Sequence, residues 1–402
     1  MKTKTLQNTF ISVGALFALA LLLGAGMNDG VMNFSKTPPG LSQPPITTFD
    51  APGAGTGPGQ GTQALAINGG EHIAGSYIDA SNVFHGLVRA LDGTITSYDA
   101  PGAGTGPGEG TDAQSINPTG AIAGLYADSD AVFHGFVRPA DSTITTFDAP
   151  GAGTGFLQGT EAEDINPRGV IAGLYVDSDS VAHGFVRAVG GIITGFDAPG
   201  AGTSPNQGTF VNNVDCLNDA GATVGDYLDT NNSFHGFVRA PDGTITTFDA
   251  PGAGTGPNQG TECTGINDMG TIVGTYIDSS NVSHGFLRAP DGTFTFINVP
   301  GGGTGPGQGT LAANINPSGA ITGWYVDASS VSHGFLASNG TFTTFDAPGA
   351  GTGSGQGTFA YSNNPRDAIT GYYLDSNNTW HSFLRAAPQP TPRPRPTPRP
   401  RP

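Results

Sequence analysis

The sequence predicts an all-β fold, a seven-bladed β-propeller of four-stranded antiparallel blades closed by the N-terminal strand pairing with the last repeat. Three observations carry this. A unit of about 49 residues recurs seven times with the same words in the same order: FDAPGAG, IN, GxY, an Asp, then HGF. The Asp of the first word falls at Asp50, Asp99, Asp148, Asp197 and Asp249, is replaced by Asn298, and returns at Asp346. Self-similarity at this period belongs to folds in which no unit is stable alone. Second, the words enclose short apolar runs bounded by turn signals, with no helical periodicity. Third, Gly is 65 of 402 residues and charged residues only 12%, which suits short strands and many tight turns. Length alone suggests two or three domains, but one closed ring can use the whole chain.

At the N-terminus, Lys2 and Lys4 precede an apolar run over residues 11–23 that ends in Gly24, Ala25 and Gly26. This is the pattern of an export signal, assigned to residues 1–26. A retained anchor is the competing expectation, because the run approaches spanning length. Residues 27–45 are expected to be a linker and residues 46–387 the propeller. Residues 388–402, PQPTPRPRPTPRPRP, are expected to be a disordered, extended polyproline tail with exposed guanidinium groups.

The second unit illustrates the strands. Residues 112–116 form a first strand, 121–127 a second, 134–138 a third and 143–147 a fourth, with turns at 117–120 and 140–142 and a polar loop at 128–132. AIAGLY and HGFV are apolar on both alternating faces, as expected of a blade sandwiched between two others. The ends decide between a closed ring and an open solenoid. Residues 46–50 are a fourth strand with no first three before it, and residues 381–385 a third strand with no fourth after it. Pairing them completes the last blade and removes two exposed edges.

The run Ile315-Asn316-Pro317-Ser318-Gly319-Ala320-Ile321-Thr322-Gly323, followed by Asp327 and His333-Gly334-Phe335-Leu336, resembles the HAF family of extracellular bacterial repeats. Gly mostly replaces the Ala of the family's His-Ala-Phe word. The resemblance covers residues 46–386. It implies bacterial origin, export and a secreted or cell-surface location with a repeat fold, and carries over no catalytic residues.

Between residue 26 and residue 387 there are nine basic residues against 32 acidic ones, a net charge of −23. Such a surface repels nucleic acid and anionic lipid. Strand parity places the repeated Asp and His residues on one rim, which is therefore acidic. The seven His residues, His85, His134, His183, His235, His284, His333 and His381, are expected to be structural clasps, since a group repeated in every unit serves the unit. Asp128 and Asp130, and Asp177 and Asp179, have the spacing that begins many calcium loops. The rest of that pattern is missing and Asx-turn capping accounts for the same residues, so no cofactor is assigned and calcium is the weaker alternative. The Gly-rich segments lack the Lys and helix of a phosphate loop.

The residue before each repeat His varies within a fixed frame. Phe84, Phe133, Phe234 and Trp380 are therefore ligand-binding candidates, taken as exposed aromatics that stack on sugar rings, with tolerated drift as the alternative. Departures from the repeat are the three extra residues between Thr209 and Asn218, Ala337 in place of Arg, Ser382 in place of Gly, and His72. None assembles a nucleophile, a base and an orienting group. Cys216 and Cys263 lie in first strands of adjacent units with side chains of like parity, which disfavours a bridge. The expectation is an exported monomer, non-enzymatic, that acts as a binding or surface-interaction module for a glycan or cell-envelope polymer. No nucleic-acid partner is expected, nor a membrane span once the signal is cleaved. The alternatives are an inert structural or adhesive surface protein, or a hydrolase or lyase on the acidic rim.

Overall fold

A computed structural model describes residues 35–36, 43–140, 143–338 and 340–388. Among them every regular element is a β-strand. The expected export signal and the tail from residue 389 lie outside the described residues. Within the expected linker, Ser35–Lys36 is a strand that pairs in parallel with Thr341–Phe345.

The first unit shows the plan. Gly61–Ile67, Ile73–Ile78, Phe84–Arg89 and Ile95–Tyr98 pair in succession, each antiparallel to the last. A bulge between Ala64 and Ala66 kinks the first strand, a local extra residue of the kind that re-aims a side chain. One parallel bridge, Phe84↔Gly110, hands the third strand on to the next unit. Equivalent bridges run round the molecule until Trp380↔Gly61 joins last to first. Ile46–Phe49 completes the final unit against Trp380–Arg385, with Ile46 opposite Arg385 and Phe49 opposite Ser382. The result is a closed, β-propeller-like ring.

Sequence dictates this locally. At Gly61, φ is +118° and a Cβ would lie 2.0 Å from the Trp380 carbonyl oxygen, so only Gly lets the first strand pass beneath the preceding unit. The Thr that follows fixes the incoming connection: Thr62 Oγ1 accepts a hydrogen bond from the Ala51 amide at 2.9 Å, and Thr111 does so from Ala100 at 2.8 Å. The HGF phenylalanines Phe136, Phe185, Phe237, Phe286 and Phe335, and Phe383 of the matching HSF, are wholly buried, each stabilising the seam by about 2–3 kcal/mol. Four of them meet an outer-strand aromatic of the preceding unit edge-on, as Phe185 does Phe147 at 6.2 Å.

Two further devices lock unit to unit. The third-strand Arg lies over an outer-strand ring of the preceding unit, Arg138 over Tyr98 at 4.6 Å and Arg288 over Phe248 at 4.4 Å, a cation–π contact. The Asn of the IN word does more than cap its own turn. Asn68 Nδ2 donates to the Asn117 carbonyl at 3.0 Å, Asn117 to Asn166 at 3.1 Å, Asn166 to Asn218 at 3.1 Å and Asn218 to Asn267 at 3.2 Å. Asn316 then donates to Asn364 at 2.9 Å and Asn364 to Asn68 at 3.3 Å. Of these asparagines, Asn267 alone has a buried Nδ2 without a partner among the described residues. A nearly continuous girdle of side-chain amides thus encircles one end of the ring.

Candidate functional site

The rim opposite that girdle carries the repeated Asp and His residues. His134 Nδ1 bonds Asp148 at 2.8 Å, its Nε2 faces Asp128 at 3.4 Å, and its ring stacks on Tyr126 at 4.9 Å. Each of the seven His residues has this carboxylate or amide on Nδ1 and this Tyr stack, with Asn298 serving His284. The Asp148 hydrogen bond outweighs burial and raises the His134 pKa.

The calcium candidates are turn caps. Asp128 Oδ1 accepts the Asp130 and Val132 amides at 2.9 and 3.0 Å, and Asp177 Oδ1 those of Asp179 and Val181 at 2.8 and 2.9 Å. Burial alone would raise the pKa of both carboxyls, but these donors and the neighbouring His hold them below the usual range. No three His, Cys, Asp or Glu side chains among the described residues are placed to hold a metal ion. The two cysteines are free thiols, buried in one apolar cluster. Cys216 lies beyond a first strand that stops at Phe210, and not in that strand as expected.

The aromatic ligand candidates need correction. Phe84 and Phe133 are 3% exposed and Trp380 8%, while Phe234 is half-buried. The residue before the His pairs with the first Gly of the next unit, so its side chain enters the seam. Phe84 and Phe133 pack with Ile78, Leu125 and Ala127. They are core and not an exposed stacking surface.

The repeat breaks down instead around the ring's axis, where neighbouring first strands pack side by side. The third residue of that strand reads Gln63, Asp112, Glu161, Phe210, Glu262, Leu311 and Phe359, and the fourth residue of the second strand Ser76, Leu125, Leu174, Asp226, Thr275, Trp324 and Tyr372. The bulge contributes Glu163 and Tyr361. Most of these positions sort by side of the ring, with Phe210, Leu125 and Leu174 the apolar exceptions on the acidic side. One side is aromatic: Trp324 stacks on Tyr361 at 5.2 Å, Tyr361 lies 4.9 Å from Tyr372, and Tyr372 meets Trp380 edge-on at 4.8 Å. Tyr372 Oη donates to Tyr361 Oη at 2.8 Å.

The other side is acidic. Burial pushes the Asp112 carboxyl up to about 6 and the Glu161 carboxyl to about 7. Glu163, Asp164, Asp226 and Glu262 are raised for the same reason, with neighbouring carboxylates adding to the shift of Glu163 and Asp226. Ser76 Oγ donates to Asp112 and Ser115 Oγ to Asp164, each at 2.7 Å. Glu161, Glu262, Phe359 and Tyr361 keep part of their surface exposed although they sit at the axis, so solvent reaches the axial lumen between them.

The three-residue insertion in the fourth unit closes that lumen. The chain there leaves the strand at Phe210 and returns at the Leu217↔Thr223 bridge. In between, Val214 packs with Leu65, Tyr372 and Trp380 on the far side of the ring. Asp215 accepts hydrogen bonds from Asn314 Nδ2 and from Ser362 Oγ, and its carbonyl accepts the Ile266 amide at 3.0 Å. Leu217 donates its amide to Asp164 at 2.9 Å. The lumen is therefore a chamber with a mouth at the acidic rim and a floor of Val214 and Asp215. Sequence reasoning missed it, although the signal was present: these axial positions vary between units as the residue before the His does.

No family model matches the chain, and no curated protein sequence matches it. Among solved structures it is similar to the BP39L lectin from Burkholderia pseudomallei at 10% identity and a TM-score of 0.51, over 81% of this chain and 96% of that one. A puromycin hydrolase aligns at 12% identity and a TM-score of 0.45, over 79% of this chain and 52% of its own. The chain thus spans about half the length of that enzyme. At these identities the likeness to the lectin shows an all-β, propeller-like fold and nothing finer.

Proposed function

We propose that this chain is an exported seven-bladed propeller of four-stranded blades that works as a glycan-binding module, with the axial chamber as its site. The observation that carries the proposal is the sorting of repeat-breaking residues into an aromatic wall and a facing polar wall at one mouth. Aromatic faces stack on the apolar faces of sugar rings, and the carboxylates and tyrosine hydroxyls opposite satisfy sugar hydroxyls. The fold shared with a lectin supports the same class. The N-terminal residues 1–26 would direct export, and the Arg-Pro tail would tether the protein to an anionic envelope polymer.

A glycan array probed with the purified chain tests this. Saturable binding that falls with Tyr361→Ala and Trp324→Ala, but not with Leu91→Ala at an exposed site (63% accessible), supports the chamber. Binding indifferent to both chamber variants sinks it. A second proposal rests on Asp112 and Glu161, whose raised pKa suits a general acid in glycoside hydrolysis. Turnover of a bound glycan in the same assay would favour that hydrolase.

A further inference from the structure

The chamber's charge is unbalanced. Asp112, Glu161, Glu163, Asp226 and Glu262 gather on one side of the axis, and no Lys or Arg pairs with any of them among the described residues. Glu163 and Asp226 are only 5% and 3% exposed, Glu163 lies beside Glu161, Asp112 and Asp164 and Asp226 beside Glu262, and all of these neighbours are acids. A carboxylate enclosed among other carboxylates is costly and calls for a cation or a proton. The carboxylates are too dispersed for a metal ion, since no three potential ligands among the described residues converge. They are instead spread across a chamber that faces the Trp324, Phe359 and Tyr361 rings, with Trp324 5.6 Å from Phe359. Carboxylates on one side and aromatic faces on the other recognise an organic cation twice over.

We propose that the chamber takes the end of a chain of unacetylated amino sugars, with a sugar ring on the Tyr361 and Phe359 wall and the ammonium groups of successive units each beside one of the carboxylates Glu161, Glu163 and Glu262. This rests on the glycan-binding proposal above and narrows it. The floor sets the polarity of entry: Val214 and Asp215 close the axis, so a chain end enters and an internal unit cannot thread through. N-acetylation would remove the charge and leave the carboxylates unpaired. A neutral sugar would satisfy the aromatic wall alone.

Calorimetric titration of the full chain with glucosamine trimer, N-acetylglucosamine trimer and a neutral glucose trimer decides the matter. The glucosamine trimer is expected to bind at least roughly tenfold more tightly than the other two. Glu163→Gln and Glu262→Gln, near-isosteric and checked for folding by thermal melting, should each weaken it by about tenfold. Longer glucosamine oligomers should bind with the same affinity per chain, because each offers one entering end. Equal affinity for the acetylated trimer, unchanged binding by both glutamine variants, or affinity that grows with oligomer length overturns the amino-sugar assignment while leaving glycan binding intact. Absence of binding to all three trimers and to every glycan on the array overturns both proposals.

Discussion

Asp215 accepts a hydrogen bond from Ser362 at 3.2 Å although 147 residues separate them, and the bond crosses the ring's axis. Asp215 also faces Asn314 and shares its enclosed surroundings with Asp164, and burial first, then Asp164, pushes its pKa up. Asp215→Asn keeps a carbonyl acceptor and removes the charge. It should stabilise the fold by on the order of 2 kcal/mol more at pH 8 than at pH 5, where the folded carboxyl already holds its proton. Asp215→Ala should destabilise at both, since Asn314 and Ser362 lose their acceptor. Denaturant unfolding at the two pH values checks this; equal effects of Asp215→Asn at pH 5 and pH 8 would contradict it.

The axial carboxyls also fix how stability follows pH. Asp112 and Glu161 titrate at about 6 and about 7 in the fold, above unfolded values of about 4. Their contribution is therefore full below about pH 4 and lost as pH rises through 6 to 7. His134, also raised, acts in the same direction. The rim carboxyls Asp128, Asp177, Asp229, Asp327 and Asp375 are held low, so their contribution is lost only as pH falls below about 4. Tm should peak between about pH 4 and pH 6 and decline toward pH 8. A Tm that climbs from pH 5 to pH 8 in scanning calorimetry would show that the axial carboxyls do not govern the profile.

The asparagine girdle offers an internal control. Asn117 and Asn267 are each 3% exposed and cap equivalent turns through Oδ1. Asn117 Nδ2 also donates to the Asn166 carbonyl, whereas Asn267 Nδ2 has no partner among the described residues. Asn117→Asp should cost about 1–2 kcal/mol more than Asn267→Asp, the worth of one buried hydrogen bond and the acceptor it satisfies. Equal costs would mean that the girdle contributes nothing.

Closure depends on a short strand. Removing residues 27–50 deletes Ile46–Phe49, uncovers the edge of Trp380–Arg385 and takes Asp50 from His381. Lower Tm and association through the bare edge are expected. A truncated chain that stays monomeric with unchanged Tm would refute this account of the ring.

Much of this architecture was legible in the chain, for a physical reason. Turn residues, alternating apolar runs and the Gly before each first strand are local requirements of a strand and its turn, and a repeat states them seven times. The mismatched ends, ITTFD before the first unit and HSFLR as the last strand of the final one, belong to one sheet, so closure could be read as well. The His clasp was readable only in part: the Asp six residues before it faces Nε2, at 3.7 Å for His85, while the closer contact, Asp99 on Nδ1 at 2.8 Å, comes from the end of the fourth strand.

What the sequence could not supply was the meeting of residues that no local rule relates. The aromatics before the His pointed outward by pattern and inward by seam geometry. Asp112, Glu161, Glu262, Tyr361 and Tyr372 come from separate units and become a site only because the ring closes and aims them at one axis. The insertion between Thr209 and Asn218 was visible as extra length, but its role as a floor depends on Asn314 and Ser362 lying across the ring. Periodicity determined the strands, the unit and the closure, because backbone pairing and burial act between neighbours. Tertiary structure alone decided which side chains share the enclosed axis, because position around a closed ring is set by the whole circuit of units.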